Sequence, residues 1–407
     1  MAGRCRRCVR MPAFSFKDRR GNHMHRSSRR VMPLVVGVVL ALFLAACGSD
    51  SDSATPAAVN PSPASDASLA AAKANLAKYL TPPTSIVQST PLKSAPPKKK
   101  VAFVQCADPS CAILAGFVKD ATSALGWSLT TLSATATDPG SAIQQAIDAG
   151  VDYIATTGFP VDLFKQQMNQ AKAKGIPLFM CYTTDVPAGP GNNLFSDCND
   201  ATAASAFGGA MADFMAVDSN GKADILQVTI PSYPVLTAQA DGVTAELGKN
   251  CPSCKIHNLE TTVNDLAGGA VPQSISSYLQ ANPSVNYVFF TYSGLEKGVP
   301  AVLKTAGLLG KVKLVGTQGA QPQFNEVING TSTAWSALPQ ELAMWTMVDQ
   351  MARVAVDQWS LPDERKAAIS PFYLVSTPDQ AKAIVDEKNG WPGPAGFKDT
   401  FKKLWGL

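Results

Sequence analysis

Nine cysteines and three histidines are the side chains of this 407-residue chain best suited to metal, redox or nucleophilic chemistry. Their spacing decides among those uses. Downstream of residue 47 the cysteines fall into local pairs, Cys106 with Cys111, Cys181 with Cys198, and Cys251 with Cys254, and His257 is the sole imidazole. A zinc site draws on four cysteine or histidine ligands. No second close pair matches Cys251-Pro252-Ser253-Cys254, so zinc is the weaker reading. A thioredoxin-like redox pair belongs at a helix start. Here Lys249-Asn250 and Lys255-Ile256-His257 flank the pair and read as a helix-to-strand turn. Structural disulfides are the expectation. Six cysteines allow 15 connectivities, and sequential pairing is the one adopted. Neither a Gly-x-Ser-x-Gly elbow nor a His-Glu-x-x-His helix occurs, and the carboxylates are scattered. No catalytic residue, metal or cofactor is therefore assigned, and a hydrolase is the least favoured function.

Cys47 stands apart from these pairs. It ends Leu44-Ala45-Ala46-Cys47, behind an uncharged run over 31–46 and the basic stretch His25-Arg26-Ser27-Ser28-Arg29-Arg30. A membrane-spanning helix needs about 20 apolar residues. This run is shorter and contains Pro33, so it reads as a secretory signal peptide, with a retained anchor as the alternative. The tetrapeptide resembles a bacterial lipobox, which makes Cys47 the lipidated first residue of the mature chain. A leader of this length also makes Met11 or Met24 a candidate start. Ten of the 35 basic residues and one of the 31 acidic residues lie within 1–46. The remainder has 25 basic and 30 acidic residues, a net of −5, which offers no footprint for a phosphate backbone. Nucleic acid is excluded as a partner. The stretch after Cys47, rich in Ser, Ala, Asp and Pro, reads as a tether, with a short helix over 68–80.

From residue 98 the pattern alternates short apolar runs with helical stretches that end in glycine. Strands are expected over 101–105, 127–132, 151–155 and 176–182, with helices over 113–125, 139–149 and 161–174 between them. Asp138 with Pro139 marks the start of the second of these helices. The rhythm restarts with strands over 223–228, 255–258, 287–291 and 312–315, and helices over 236–247, 271–280 and 298–306. A helix over 207–217 bridges the halves. Apolar strands separated by helices imply parallel sheets covered on both faces. Two such lobes face each other across a cleft at the carboxyl ends of their strands, where ligands bind in open α/β sheets.

The order of these segments resembles the ribose-type, or type I, family of periplasmic binding proteins, the solute receptors of ABC importers. The resemblance covers about residues 98–375. It is carried by Val101-Ala102-Phe103-Val104 with Asp108-Pro109, Ala149-Gly150-Val151-Asp152-Tyr153-Ile154 and Ala173-Lys174-Gly175-Ile176-Pro177-Leu178. Ala240-Asp241-Gly242-Val243, Asn286-Tyr287-Val288-Phe289-Phe290 and Lys313-Leu314-Val315-Gly316 complete it. The family's ligand positions map onto Asp108 after the first strand and Thr157, followed by Gly158-Phe159, after the third. Tyr182-Thr183 replaces an Asp-Arg pair after the fourth, Gln239 an arginine, Tyr292-Ser293 an Asn-Asp step and Gln318 an aspartate. Charged groups that bond sugar hydroxyls strongly are thus largely exchanged for aromatic and neutral ones. Phe159, Tyr182, Tyr233 and Tyr292 would supply ring faces, and Thr183, Gln239 and Gln318 would orient polar groups. Trp335 and Trp345 are read as packing residues.

The resemblance implies two similar doubly wound lobes joined by a hinge. The expected division is a signal peptide over 1–46, a lipid-anchored flexible tether over 47–97, and an N-terminal lobe over 98–200 completed by 338–370. A C-terminal lobe over 201–337 and a tail over 371–407 packing on the lobes follow. The function implied is that of an exported lipoprotein, held on the outer face of the membrane or in the periplasm. It captures a small solute, sugar-like or less polar, and delivers it as a monomer to an ABC transporter permease. A solute-sensing surface lipoprotein without a transporter is the alternative.

Overall fold

The computed structural model describes residues 66–407. The signal segment and Cys47 lie outside the described residues. Helix α1 (Asp66–Leu76) precedes β1 (Lys100–Gln105), α2 (Pro109–Ala124), β2 (Ser128–Ser133), α3 (Gly140–Asp148), β3 (Tyr153–Thr157), α4 (Lys165–Ala173), β4 (Leu178–Cys181) and β5 (Leu194–Cys198). These five strands form one parallel sheet in the order β2-β1-β3-β4-β5. Its interior strands are buried along their length, Tyr153–Thr157 and Leu178–Cys181 without exception, because helices cover both faces. Asp138 accepts from the Ser141 backbone N–H and hydroxyl, so the aspartate read as a cap does cap α3. Gly150, at φ 63°, lets the chain leave that helix in the left-handed conformation that suits glycine.

Helix α5 (Ala201–Asp218), capped by Asp200 through the Ala203 N–H, carries the chain into a second lobe. There β6 (Asp224–Thr229), α6 (Pro234–Asn250), β7 (Lys255–Glu260), α7 (Val263–Gly268), α8 (Val271–Ala281), β8 (Tyr287–Phe290), α9 (Val299–Thr305), β9 (Lys313–Gly316), α10 (Gln321–Asn329) and β10 (Ala334–Ala337) follow. Helices α5 and α6 lie close enough that glycines are required where they cross. A Cβ on Gly208 would meet the Gln239 carbonyl oxygen, and one on Gly242 the Ser205 carbonyl.

The chain then returns. Helix α11 (Gln340–Ala355) packs on α2, β4 and β5 of the first lobe, and α12 (Leu361–Ala367) on β5. Strand β11 (Tyr373–Val375) goes back to the second lobe, antiparallel beside β10, giving the order β11-β10-β9-β8-β6-β7. Helix α13 (Pro378–Lys382) packs on α10, and α14 (Phe397–Trp405) on α11 of the first lobe. The segment expected as a tail over 371–407 thus supplies a sheet strand and a core helix. Phe397, Phe401, Leu404 and Trp405 form one face of α14, and Trp405 stacks on Trp345 at a centroid distance of 5.4 Å. Its indole N–H donates to Asp349 Oδ1, and Arg353 pairs with Asp349 Oδ2 at 2.8 Å. Trp335 and Trp345 are both core residues.

The tether expectation also needs correction from residue 66 onward. Ala72 and Leu76 are buried in the second lobe's core, and Tyr79 stacks on Phe372. Ile86 and Leu92 pack on the first lobe, and Leu92 N–H donates to the Leu404 carbonyl. The apolar residues of this stretch are too widely spaced to show a core-facing pattern, yet Ala72, Leu76, Tyr79, Ile86 and Leu92 find sites on the lobes.

Candidate functional site

Asp108 caps α2 immediately after β1. Its Oδ1 accepts from the Ser110 N–H (2.8 Å) and the Ser110 hydroxyl (2.6 Å). A Cys106–Cys111 disulfide, with Cα atoms 5.6 Å apart, closes the same turn. At the other edge of that lobe, Cys181 and Cys198 are paired across adjacent strand ends and are also disulfide-bonded. Tyr182 follows at φ 61°, its N–H bonded to the Cys198 carbonyl. In the second lobe Gln318 has φ 59°. Left-handed backbone at two non-glycine residues is a cost tolerated mostly at binding sites. Both residues line the same cavity.

That cavity lies between the lobes at the carboxyl ends of the strands. Asp108, Thr157 and Tyr182 come to it from the first lobe, and Tyr233, Tyr292 and Gln318 from the second. Six of the nine residues proposed from sequence therefore meet in one place. The rest of its wall is mostly apolar: Leu114, Ile230, Val235, Leu236, Val263 and Leu266 with the Cys106–Cys111 bridge, beside Ser110, Gly158 and Gln340. Free space totals about 780 Å³ with the open mouth included. Two polar contacts bridge the lobes across it. The Tyr292 hydroxyl donates to Asp108 Oδ1 at 3.3 Å, and Gln340 Nε2 donates to Gln318 Oε1 at 3.2 Å. Burial, reinforced by the Asp108 charge, pushes the Tyr292 hydroxyl up to about 12 and the Tyr233 hydroxyl above its ordinary value. Both tyrosines stay neutral donors at physiological pH. The Thr157 hydroxyl is buried without a hydrogen-bond partner.

Three expected residues lie elsewhere. Phe159, 1% exposed, is in the first lobe's core. Thr183 turns inward, its hydroxyl 3.1 Å from Asp197 Oδ2. Gln239 sits under the site, its Oε1 2.6 Å from the Thr317 hydroxyl, which is also 2.7 Å from the Thr291 carbonyl. Phe159 and Thr183 each adjoin a residue that does reach the cavity, and Gln239 lies three residues past Leu236, which also does, so spacing alone could not separate lining from support. Gln340 and the apolar wall went unseen in the sequence. Gln340 follows β10, a four-residue strand too short to stand out, and leucine or valine at a helix start carries no chemical signal. His257 is far from this chemistry, with Nε2 2.8 Å from Asp224 Oδ1. Among the described residues no cluster of three or more His, Cys, Asp or Glu is placed to hold a metal, and no helix is long and apolar enough to cross a membrane. Cys251 and Cys254 are bonded at the turn from α6 into β7.

A family model described as a periplasmic binding protein domain matches residues 111–358. No curated protein matches the chain. Solved structures share its fold at low identity. An ABC sugar transporter subunit from Rhodobacter sphaeroides is 19% identical with a TM-score of 0.58, covering 69% of this chain and 98% of its own. A Thermotoga lettingae 5-methylthioribose transporter solute-binding protein, bound to 5-methylthioribose, is 16% identical with a TM-score of 0.60 over 77% of this chain and 99% of its own. A Caulobacter myo-inositol binding protein with myo-inositol is 18% identical with a TM-score of 0.59, covering 70% of this chain and 95% of its own.

Proposed function

Since the chain belongs to the periplasmic binding protein family, a non-enzymatic solute-binding fold, we propose that it captures one small solute between its lobes and passes it to an ABC transporter permease. The proposal places it outside the cytoplasm on a lipid anchor at Cys47. The observation that carries the reading is the cavity lined from both lobes and spanned by the Tyr292–Asp108 hydrogen bond. A solute seated there touches both lobes at once, so it binds the closed arrangement better than an open one and shifts the hinge equilibrium toward it. The solute of this reading is sugar-like or less polar, because the wall is mostly apolar and the lobes present no lysine or arginine to it. The anchor is supported by the lipobox-like Leu44-Ala45-Ala46-Cys47.

Small-angle scattering and melting curves of the protein with sugars, polyols, aromatic amines and small acids test this directly. One class should shrink the radius of gyration and raise the melting temperature together. Neither change with any class would overturn capture between the lobes. Recovery of residues 1–46 on the mature protein would remove the anchor while leaving capture intact.

A further inference from the structure

The cleft's one carboxylate decides more than its size does. Among the residues that line it, Asp108 is the only carboxylate, and no lysine, arginine or histidine joins it. Its role as a helix cap accounts for one oxygen: the Ser110 N–H, the Ser110 hydroxyl and the Tyr292 hydroxyl all converge on Oδ1. Among the described residues no group donates to Oδ2. The α2 N-terminus offsets part of the charge, but it does so through Oδ1. A solute that fills the cavity strips water from this carboxylate, and a desolvated charge needs a partner of opposite sign or strong donors. The walls supply donors to Oδ1 alone and no cation, so the solute must meet Oδ2.

The remaining wall discriminates between donors. A polyol brings many hydroxyls, each needing a partner, to a wall that is mostly apolar and includes six leucine, isoleucine and valine side chains. The two amides at the site bond to each other through Gln340 Nε2 and Gln318 Oε1, which leaves only Gln318 Nε2 and Gln340 Oε1 to answer a solute's polar groups. Tyr182, Tyr233 and Tyr292 line the same space, and tyrosine ring faces attract cations. The unpartnered Thr157 hydroxyl leaves one further polar contact.

We propose that the cleft takes a small apolar solute bearing a single protonated amine, its ammonium held by Asp108 among the tyrosine rings. This rests on the solute-binding reading above and narrows its chemical class. Benzylamine and cyclohexylmethylamine, their neutral partners benzyl alcohol and cyclohexylmethanol, and myo-inositol serve as probes in calorimetric titrations and melting curves. The amines should bind at least about 30-fold more tightly than the matched alcohols, as expected for a desolvated charge pair. Asp108→Asn and Asp108→Ser both retain a capping side chain; either should keep the unliganded melting temperature and erase the difference between amine and alcohol. Equal binding of amines and alcohols, binding of myo-inositol alone, or unchanged amine affinity in a folded Asp108 variant overturns the amine assignment and leaves solute capture standing. Silence from all five probes overturns the assignment and counts against the cleft as a solute site as well.

Discussion

Tyr292, Gln239 and Tyr182 occupy neighbouring places in the resemblance but differ in what their removal should do. Tyr292 lines the cavity and bridges to Asp108. Tyr292→Ala should therefore weaken solute binding by about 1–3 kcal/mol, the range for a buried aromatic contact, with little change in the unliganded melting temperature. Gln239, 1% exposed, reaches only the Thr317 hydroxyl. Gln239→Ala should lower the unliganded stability by about 1–3 kcal/mol, since it removes a buried hydrogen bond and leaves a cavity, without a matching loss of affinity. Titration calorimetry paired with melting curves separates the two outcomes, and a Gln239 variant that loses affinity at unchanged stability would return it to the ligand set. Tyr182 is both wall and core, because it packs against clusters of both lobes. Its truncation should cost stability as well as binding.

At the scale of elements, α5 and α6 show how a family-like motif acquires a physical cause. Gly242 belongs to the Ala240-Asp241-Gly242-Val243 segment that supported the resemblance, and its role is to let the α5 backbone approach. Gly242→Ala should destabilise the second lobe by about 1–3 kcal/mol, the usual cost of overpacking. Gly248 lies on the same helix, and a Cβ added there would enter open space, so Gly248→Ala should stabilise by about 0.5–1 kcal/mol through helix propensity. Opposite shifts in denaturation midpoint check the pair; shifts of the same sign would mean that the helix contact is looser than drawn.

At the scale of the whole molecule, the crossings between lobes hold one group of its buried acids. The Asn199 N–H bonds to the Ala368 carbonyl, and the Ser370 N–H to Asn199 Oδ1, so two crossings are tied together. Beside them Glu364 accepts from the Asp197 N–H, and Arg365 pairs with Asp200. Burial raises the Glu364 carboxyl to about 7, with Asp200 adding to the rise and the Asp197 N–H and Arg365 opposing it. Burial likewise holds Asp197 well above the ordinary range. A carboxyl raised on folding favours the folded state below its unfolded value, about 4.3 for glutamate, and that contribution is lost as pH rises toward 7. Glu364→Gln keeps the acceptor and removes the titration. Its melting temperature should therefore gain on the wild type between pH 5 and pH 8. A difference that stays constant across that window would show that Glu364 is not the titrating group.

Local chemistry determined a large part of this protein before any tertiary contact. Apolar runs such as 151–155, separated by helices of regular length, demand parallel strands covered on both faces, since a strand without a polar face has nowhere else to go. Close cysteine pairs in an exported chain pointed to local bridges. Strand ends located six of the cavity's residues, because ligands gather where strands finish. What adjacency in sequence could not decide was which side each of those ends faces. Tyr182 reaches the cavity while Thr183, one residue on, turns to Asp197; a single step reverses the direction of a side chain. Nor could local pattern place 66–97, β11 or α14, whose partners lie far away in the chain. Their positions are set by surfaces that exist only once both lobes have folded.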